Sequence, residues 1–390
     1  MRLQSSQGGQ TGQQAIPIIK PWLGEEEAAA AADVISSGWI AQGPRVAEFE
    51  RAVAASVGAA HGVALSSCTA SLHLALVVLG IGPGDDVVVP SLSFIATANA
   101  PRYVGAKPVF ADVTESTQNI AAETIEPVLT TDTKAVILVH QAGVPADIDA
   151  VHDLCDPLGI AVVEDAACAI GSTYRGHRIG RHSDLVAFSF HPRKVITTGE
   201  GGMLMTTRPD WADRIRRLRE HGMNVSAASR HESRYLLIEE YLETGFNYRM
   251  TDIQAAVGLV QLRRLDAMVT RRRELAGRYR EALADVPGLQ VVDDPPWGTT
   301  NYQSFWVVLP DDLPTSRNDI LRAMMQERVS PRRGIMAAHL EPAFADEAVA
   351  SLPVTERLTR QSLLLPLFHT MEESDQEHVV AILKSELGVA

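Results

Sequence analysis

Lysine is scarce in this chain. Of 35 lysine and arginine residues only five are lysine: Lys20, Lys107, Lys134, Lys194 and Lys384. Where arginine is the default cation, a lysine inside an apolar stretch asks for a chemical reason. Arginine keeps its proton, whereas a withdrawn lysine can become a neutral nucleophilic amine. Cysteine is scarcer still, and the uneven spacing of Cys68, Cys155 and Cys168 argues against a disulfide framework or a zinc site. Long apolar runs are missing. The longest, Leu72 to Ile81, is too short to span a bilayer and contains His73. No basic-then-apolar segment opens the sequence, so the expectation is a cytoplasmic protein that does not engage a membrane. Positive charge is in deficit, with 48 acidic residues against 35 basic ones and a net charge of -13. That balance opposes nucleic-acid binding. It also means that an anionic substrate must be held by local basic groups against the overall field.

What is present is the pattern of an α/β protein. A length of 390 residues allows two or three lobes with a substantial core, and 46% hydrophobic content fits a soluble globular chain. Residues 1–15, rich in Gln, Gly and Ser, read as a disordered tail. From Ile16 onward, strand-like runs fall at Gly62–Ser66, Asp86–Pro90, Pro108–Val113, Ala135–His140, Ile160–Glu164, Leu185–Phe190 and Gly202–Thr206. Most are continuously apolar rather than alternating, as strands buried on both faces are. Helical stretches separate them at Ala70–Leu79, Ile95–Val104, Ile148–Leu158 and Trp211–His221. This alternation predicts a large, mainly parallel sheet sandwiched by helices. The boundaries expected are a large domain over 16–265 and a smaller C-terminal α/β domain over 266–390. A long charged helix is expected from Asp252 to Leu283, with the arginine run Arg271–Arg280 as its solvated face. Beyond it, strands near Gln303–Leu309 and around Val329 alternate with helices at Asn318–Glu327 and Glu373–Leu387.

Three places carry candidate chemistry. Lys194 lies in a turn between the apolar strand Leu185–Phe190 and the glycine-rich exit Gly199-Glu-Gly-Gly202. A lysine so placed suits Schiff-base formation with an aldehyde such as pyridoxal phosphate (PLP). The segment Ser66-Ser-Cys-Thr-Ala-Ser71 puts small hydroxyl residues at a helix start, where free backbone N–H groups favour an anion. Glu164 and Asp165 end a strand, and in parallel α/β sheets ligands sit outside the carboxyl ends of strands. A carboxylate there can hold a proton on a pyridine nitrogen. Each place alone has a plain alternative: a surface lysine, an ordinary N-cap, a capping Asp. Together they are three parts of a PLP pocket, to which Ser189 can add a phosphate contact. Gly80-Ile-Gly-Pro-Gly84 is no dinucleotide fingerprint, because it follows a helix and precedes a strand. The twelve histidines show no metal-ligand spacing, so no metal is expected.

The segments Ser36-Ser-Gly-Trp-Ile40, Pro90-Ser-Leu-Ser-Phe-Ile-Ala-Thr97, Glu164-Asp-Ala-Ala167, Phe188-Ser-Phe-His-Pro-Arg-Lys194, Gly245-Phe-Asn-Tyr-Arg-Met-Thr-Asp-Ile-Gln-Ala-Ala256 and Leu363-Leu-Leu-Pro-Leu-Phe368 come in one order along the chain. In these the chain resembles the DegT/DnrJ/EryC1/StrS family of sugar aminotransferases, of PLP fold type I, from about Ile16 to the end. The resemblance implies that Lys194 is the Schiff-base lysine and proton shuttle and that Asp165 partners the pyridine nitrogen. It further implies that Phe94 stacks on the cofactor and that Thr69, Ala70 and Ser189 contact its phosphate. Asn247 resembles the residue that reaches the phosphate from a neighbouring subunit, which implies a homodimer with shared sites. One position departs from the pattern. Cys168 stands where the family usually has Gln or His beside the cofactor's ring oxygen, and a thiol is a weak hydrogen-bonding substitute.

The activity so implied is a two-stage transamination. L-glutamate (or glutamine) converts PLP to pyridoxamine phosphate, which then aminates a keto group on a nucleotide-linked deoxy sugar. Arg332, Arg333 and His339 are the candidate contacts for the acidic nucleotide diphosphate. The rival readings are a cyclitol or other non-nucleotide ketone as acceptor, a family dehydratase, and a catalytically silent sugar-nucleotide sensor. The dehydratase branch carries histidine at the lysine position, and Lys194 speaks against it.

Overall fold

The seven short apolar runs pair into one sheet. In the computed structural model, which describes residues 15–225, 234–313, 315–347 and 350–389, the strands are β1 (His61–Leu65), β2 (Asp86–Pro90), β3 (Lys107–Ala111), β4 (Thr133–Val139) and β5 (Ala161–Asp165). They continue with β6 (Thr173–Tyr174), β7 (His177–Arg178), β8 (Leu185–Ser189) and β9 (Gly202–Thr206). The large sheet has the order β1-β9-β8-β5-β4-β2-β3. Every pairing in it is parallel except those of β9, which runs antiparallel to both β1 and β8. The disordered tail expected over 1–15 lies, through residue 14, outside the described residues.

The continuous apolar character of the strands has a direct structural cause. Val87 and Val89 of β2 pack into one helical layer while Val88 packs into the other, and β4 divides Ile137 and Leu138 in the same way. Successive side chains point to opposite faces, so a sheet covered on both sides needs apolar residues at every position. The helix Cys68–Val78 covers one face and Pro44–Val57 the other. The N-terminus of the latter is held from far along the chain. Asp252, fully buried, accepts hydrogen bonds from the backbone N–H groups of Gly43 (2.8 Å), Val46 (2.9 Å) and Arg45 (3.1 Å).

The second sheet is built from β10 (Gln290–Val291), β12 (Phe305–Val308), β13 (Arg332–Arg333) and β14 (Ser362–Leu365), in the order β10-β12-β14-β13. The intervening β11 (Gly298–Thr299) pairs instead with β6. Helices Arg317–Gln326, Pro353–Gln361 and Glu373–Glu386 lie in the same part of the chain. The N-terminal segment joins it too, through a bridge of Ile16 with Val329 and a bond from Leu367 N to Ile18 O (3.1 Å).

Two expectations need correction. The single helix expected over Asp252–Leu283 is two, Asp252–Arg263 and Leu265–Leu283, broken at Arg264. There the N–H bonds back to Gln261 in a tightened turn, and the guanidinium is held by Glu26 and Glu27. Nor is the arginine run a uniformly solvated face. Arg272 is completely buried, and donates from Nε to Tyr302 O and from Nη2 to Gln303 O, each at 2.7 Å. Among the described residues no helix is long and apolar enough to cross a membrane, and no cluster of His, Cys, Asp and Glu is placed to hold a metal.

Candidate active site

The carboxyl ends of β4, β5 and β8 lie side by side, and the candidate residues of the middle of the chain converge there. Asp165 closes β5 and is 5% exposed. Its Oδ2 accepts from the Thr97 hydroxyl (2.9 Å) and its Oδ1 from Ala167 N–H (3.1 Å). Burial pushes the carboxyl above its usual range, against the pull of those two donors and of the Lys194 charge. Behind it, His140 and Glu164 form a fully buried pair at 2.8 Å. His140 Nδ1 accepts from Ala146 N–H, so it is Nε2–H that faces the carboxylate.

Lys194 sits half-buried in the turn after β8, its backbone N–H tied to His191 O. Its Nζ donates to Cys168 Sγ at 3.1 Å. Burial alone drives the lysine down, but Cys168, Cys68 and Asp165 outweigh it and the ammonium is held above its ordinary value. Cys68 lies in the same field. Burial and the Asp165 charge raise its thiol well above the usual range.

The helix start is organised by Ser67, one residue of the run that the sequence singles out. Ser67 is the N-cap and its Oγ accepts from Ala70 N–H at 3.1 Å. The helix therefore begins at Cys68, two residues earlier than expected, and the first N–H groups, of Cys68 and Thr69, have no partner within the helix. Gly202 pairs in register with both Leu65 and Ser189, so three strand ends meet at this helix start. A Cβ at Gly202 would lie 2.3 Å from the Ser67 carbonyl carbon, so only glycine lets β9 pass so close. Ser189 is buried at the end of β8, and its Oγ is 3.5 Å from His191 N.

Phe94 is the N-cap of the helix Ile95–Tyr103 and is 64% exposed. One turn on, the buried Thr97 bonds Asp165 and also meets Ser93 Oγ at 2.9 Å. Thr97 stands in the sequence motif but its part is visible only here.

The other candidates lie on segments that adjoin this cluster: Tyr248 O accepts from Ser66 N–H (2.8 Å) and Met336 O from Ser93 N–H (3.2 Å). Asn247 is exposed, and its backbone bridges to Glu220. Arg332 and Arg333 are exposed on β13, the latter 3.4 Å from Glu341. Arg332 also lines a cavity of about 110 Å³ with Arg193, Gln303 and Leu365. His339 is engaged by Ser91, Nδ1 to Oγ 2.5 Å, three residues before Phe94.

A model described as the DegT/DnrJ/EryC1/StrS aminotransferase family matches residues 21–384. The chain belongs to this family. It is similar to the aminotransferase TlmJ from Streptoalloteichus hindustanus, at 37% identity over 96% of this chain and 99% of that one, with a TM-score of 0.88. DesV from S. venezuelae, solved in complex with a ketimine intermediate, is 33% identical over 97% of this chain and 100% of its own, with a TM-score of 0.87. The putative sugar aminotransferase Spr1654 from Streptococcus pneumoniae is 26% identical over 96% and 99% of the two chains. Its forms with pyridoxamine phosphate and with PLP give TM-scores of 0.90 and 0.89. This is a family of PLP-dependent aminotransferases of fold type I, sugar aminotransferases among them, and PLP is the cofactor of this chain.

Proposed function

We propose that the enzyme transfers an amino group from L-glutamate, or glutamine, to a keto group on a nucleotide-linked deoxy sugar. The observation that carries this reading is the meeting of Lys194, Asp165 and Cys168 at one end of the sheet, with Nζ 3.1 Å from Sγ. These residues fit PLP. A buried carboxylate with a raised pKa gains from a pyridinium N–H, and the Cys68 and Thr69 N–H groups with Ser189 form an anion cradle that a Cβ at residue 202 would obstruct. The ring of the exposed Phe94 offers a stacking face.

PLP, when bound, supplies the aldehyde that takes up the amino group and a ring that draws electrons from the carbon being deprotonated. Asp165, oriented by Thr97 and Ala167, holds a proton at the pyridine nitrogen and so strengthens that pull. Lys194 Nζ would move a proton between the substrate carbon and the cofactor carbon, which lie on either side of the transferred nitrogen. Cys168 orients the amine between these tasks. Asn247, exposed on its own protomer, reaches the phosphate of a second copy, which makes the enzyme a homodimer with shared sites. Of the three basic residues assigned to the nucleotide, Arg332 has the support of the cavity that it shares with Arg193.

The test is the visible spectrum of PLP-loaded protein before and after L-glutamate, followed by addition of a nucleotide keto sugar. A lysine-dependent band that fades with glutamate, returns with the sugar, and is missing in Lys194→Ala is the expected result. A band that fades with glutamate but returns only with a cyclitol ketone transfers the reading to that acceptor. No lysine-dependent band at all sinks it.

A further inference from the structure

One short segment touches both sides of the Lys194–Cys168 contact. The Asn301 carboxamide donates through Nδ2 to Cys168 O and to Ile170 O, each at 2.8 Å. Its Oδ1 accepts Gln303 N–H at 2.8 Å, and its backbone N–H bonds Ser172 Oγ at 3.0 Å. Two residues on, Gln303 Nε2 donates to Arg193 O, the carbonyl immediately before Lys194, at 2.5 Å. Asn301 is fully buried and Gln303 is 5% exposed. Tyr302 between them holds a left-handed φ of 49°, a conformation that costs a non-glycine residue energy and persists only where its surroundings fix it. What fixes it is Arg272, whose guanidinium grips the carbonyls of both Tyr302 and Gln303. Gly143 completes the arrangement, because a Cβ there would lie 1.9 Å from Asn301 Oδ1.

The loop after β5 carries Cys168 and the turn after β8 carries Lys194, and the two are not neighbours in sequence. A lysine has four rotatable side-chain bonds, so a 3.1 Å contact with a thiol holds only if both backbones are fixed against a common reference. We propose that Asn301 and Gln303 are positioning residues that set the Lys194 Nζ to Cys168 Sγ contact, with Arg272 as their buried support. They touch neither reacting atom. They act by holding the two carbonyls, at 168 and 193, from which the contacting side chains are hung.

The inference rests on the proposed role of Lys194, but its test does not need a bound cofactor. In cofactor-free protein, the titration of Lys194 is read by the pH dependence of its labelling with acetic anhydride, quantified by peptide mass. Cys168, Cys68 and Asp165 face this amine and together hold it above its ordinary value, and His191 of the same turn lies within its field. Cys168→Ala removes one of them and lowers the midpoint. Gln303→Leu leaves the thiol in place and is expected to lower the midpoint by at least about half a pH unit. The double variant is expected to match Cys168→Ala alone, because Gln303 acts through that thiol. Gln303→His, which restores an N–H donor, brings the midpoint back towards wild type. A wild-type midpoint in Gln303→Leu, or shifts that add in the double variant, overturns the proposal. If Gln303→Leu does not fold, Asn301→Asp, which removes both donors to the Cys168 loop, is read by the same criteria. Borohydride trapping of PLP on wild-type Lys194 is scored separately, so failure of the lysine's assigned role is not confused with failure of the clamp.

Discussion

Lys194 and Arg272 are both drawn into the fold, and their acidities move in opposite directions. Burial pushes Arg272 down to about 9, while Lys194 is held above its usual value although burial pulls it down as well. The difference lies in what compensates each charge. Lys194 is surrounded by Cys168, Cys68 and Asp165, groups that can themselves ionise. Arg272 has two backbone carbonyls and a neutral histidine nearby, with no carboxylate among its described partners, and its Nη1 has no hydrogen-bond partner there. Carbonyl dipoles orient a guanidinium without neutralising it. A cation held by titratable neighbours is ready to exchange charge with a ligand, and one held by carbonyls is a fixed strut. The same desolvation therefore serves chemistry at one place and architecture at the other.

The comparison can be broken most sharply by removing each cation in turn. Lys194→Ala is expected to lower transamination by about a thousandfold or more, measured as steady-state amine transfer. Its unfolding midpoint in urea should stay level or rise, since functional groups commonly sit at a cost in stability. Arg272→Ala should do the reverse in kind, destabilising the fold by roughly 3 kcal/mol or more. It leaves the carbonyls of Tyr302 and Gln303 without their donors and opens a cavity. If Lys194→Ala unfolds the protein and Arg272→Ala does not, the division of roles is wrong.

Asp165→Asn comes next in size. The amide keeps the shape but cannot hold a proton on a pyridine nitrogen as a carboxylate does, and a loss of roughly a hundredfold in turnover is expected at unchanged fold stability. A variant that is slow only because it has lost PLP would be recognised by recovery of the rate at saturating cofactor.

The last effect, confined to acid pH, belongs to His369. Burial first, then the nearby Arg272 charge, depresses its imidazole from 6.5 to about 3. The unfolded chain therefore binds a proton between those pH values that the folded chain refuses. The stability from this group is complete above about pH 6.5 and is lost as the pH falls towards 3. His369→Phe should flatten that part of the profile of melting temperature against pH. An unchanged acid slope would show that His369 is solvated in solution.

Much of the fold was legible because it is locally encoded. The runs Asp86–Pro90 and Gly202–Thr206 form strands with the expected ends, since a β-rich apolar stretch between turn residues has few other ways to bury itself. Lys194 and Asp165 stood out because reactive residue types follow apolar strands. The arginine run was misread for the opposite reason. Composition makes Arg271 to Arg280 look like one solvated face, and only the packing of Tyr302 and Gln303 against the helix shows that Arg272 points inward. Likewise, Asp252 lies in a recognisable motif, yet its work as a cap for Gly43, Arg45 and Val46 depends on a helix some two hundred residues earlier.

By itself, then, the sequence determined the α/β class, the strand segments, the family and the pairing of a lysine with an aspartate at strand ends. Periodicity, turn residues and residue chemistry are properties of neighbours in the chain. Only the tertiary structure decided that Cys168 faces Lys194, that Thr97 holds Asp165, and that Asn301 and Gln303 tie the two active-site loops together. Those contacts join residues from 26 to 133 positions apart in the chain. Such meetings are fixed by how the sheet stacks its crossovers, and no local preference of the chain encodes them.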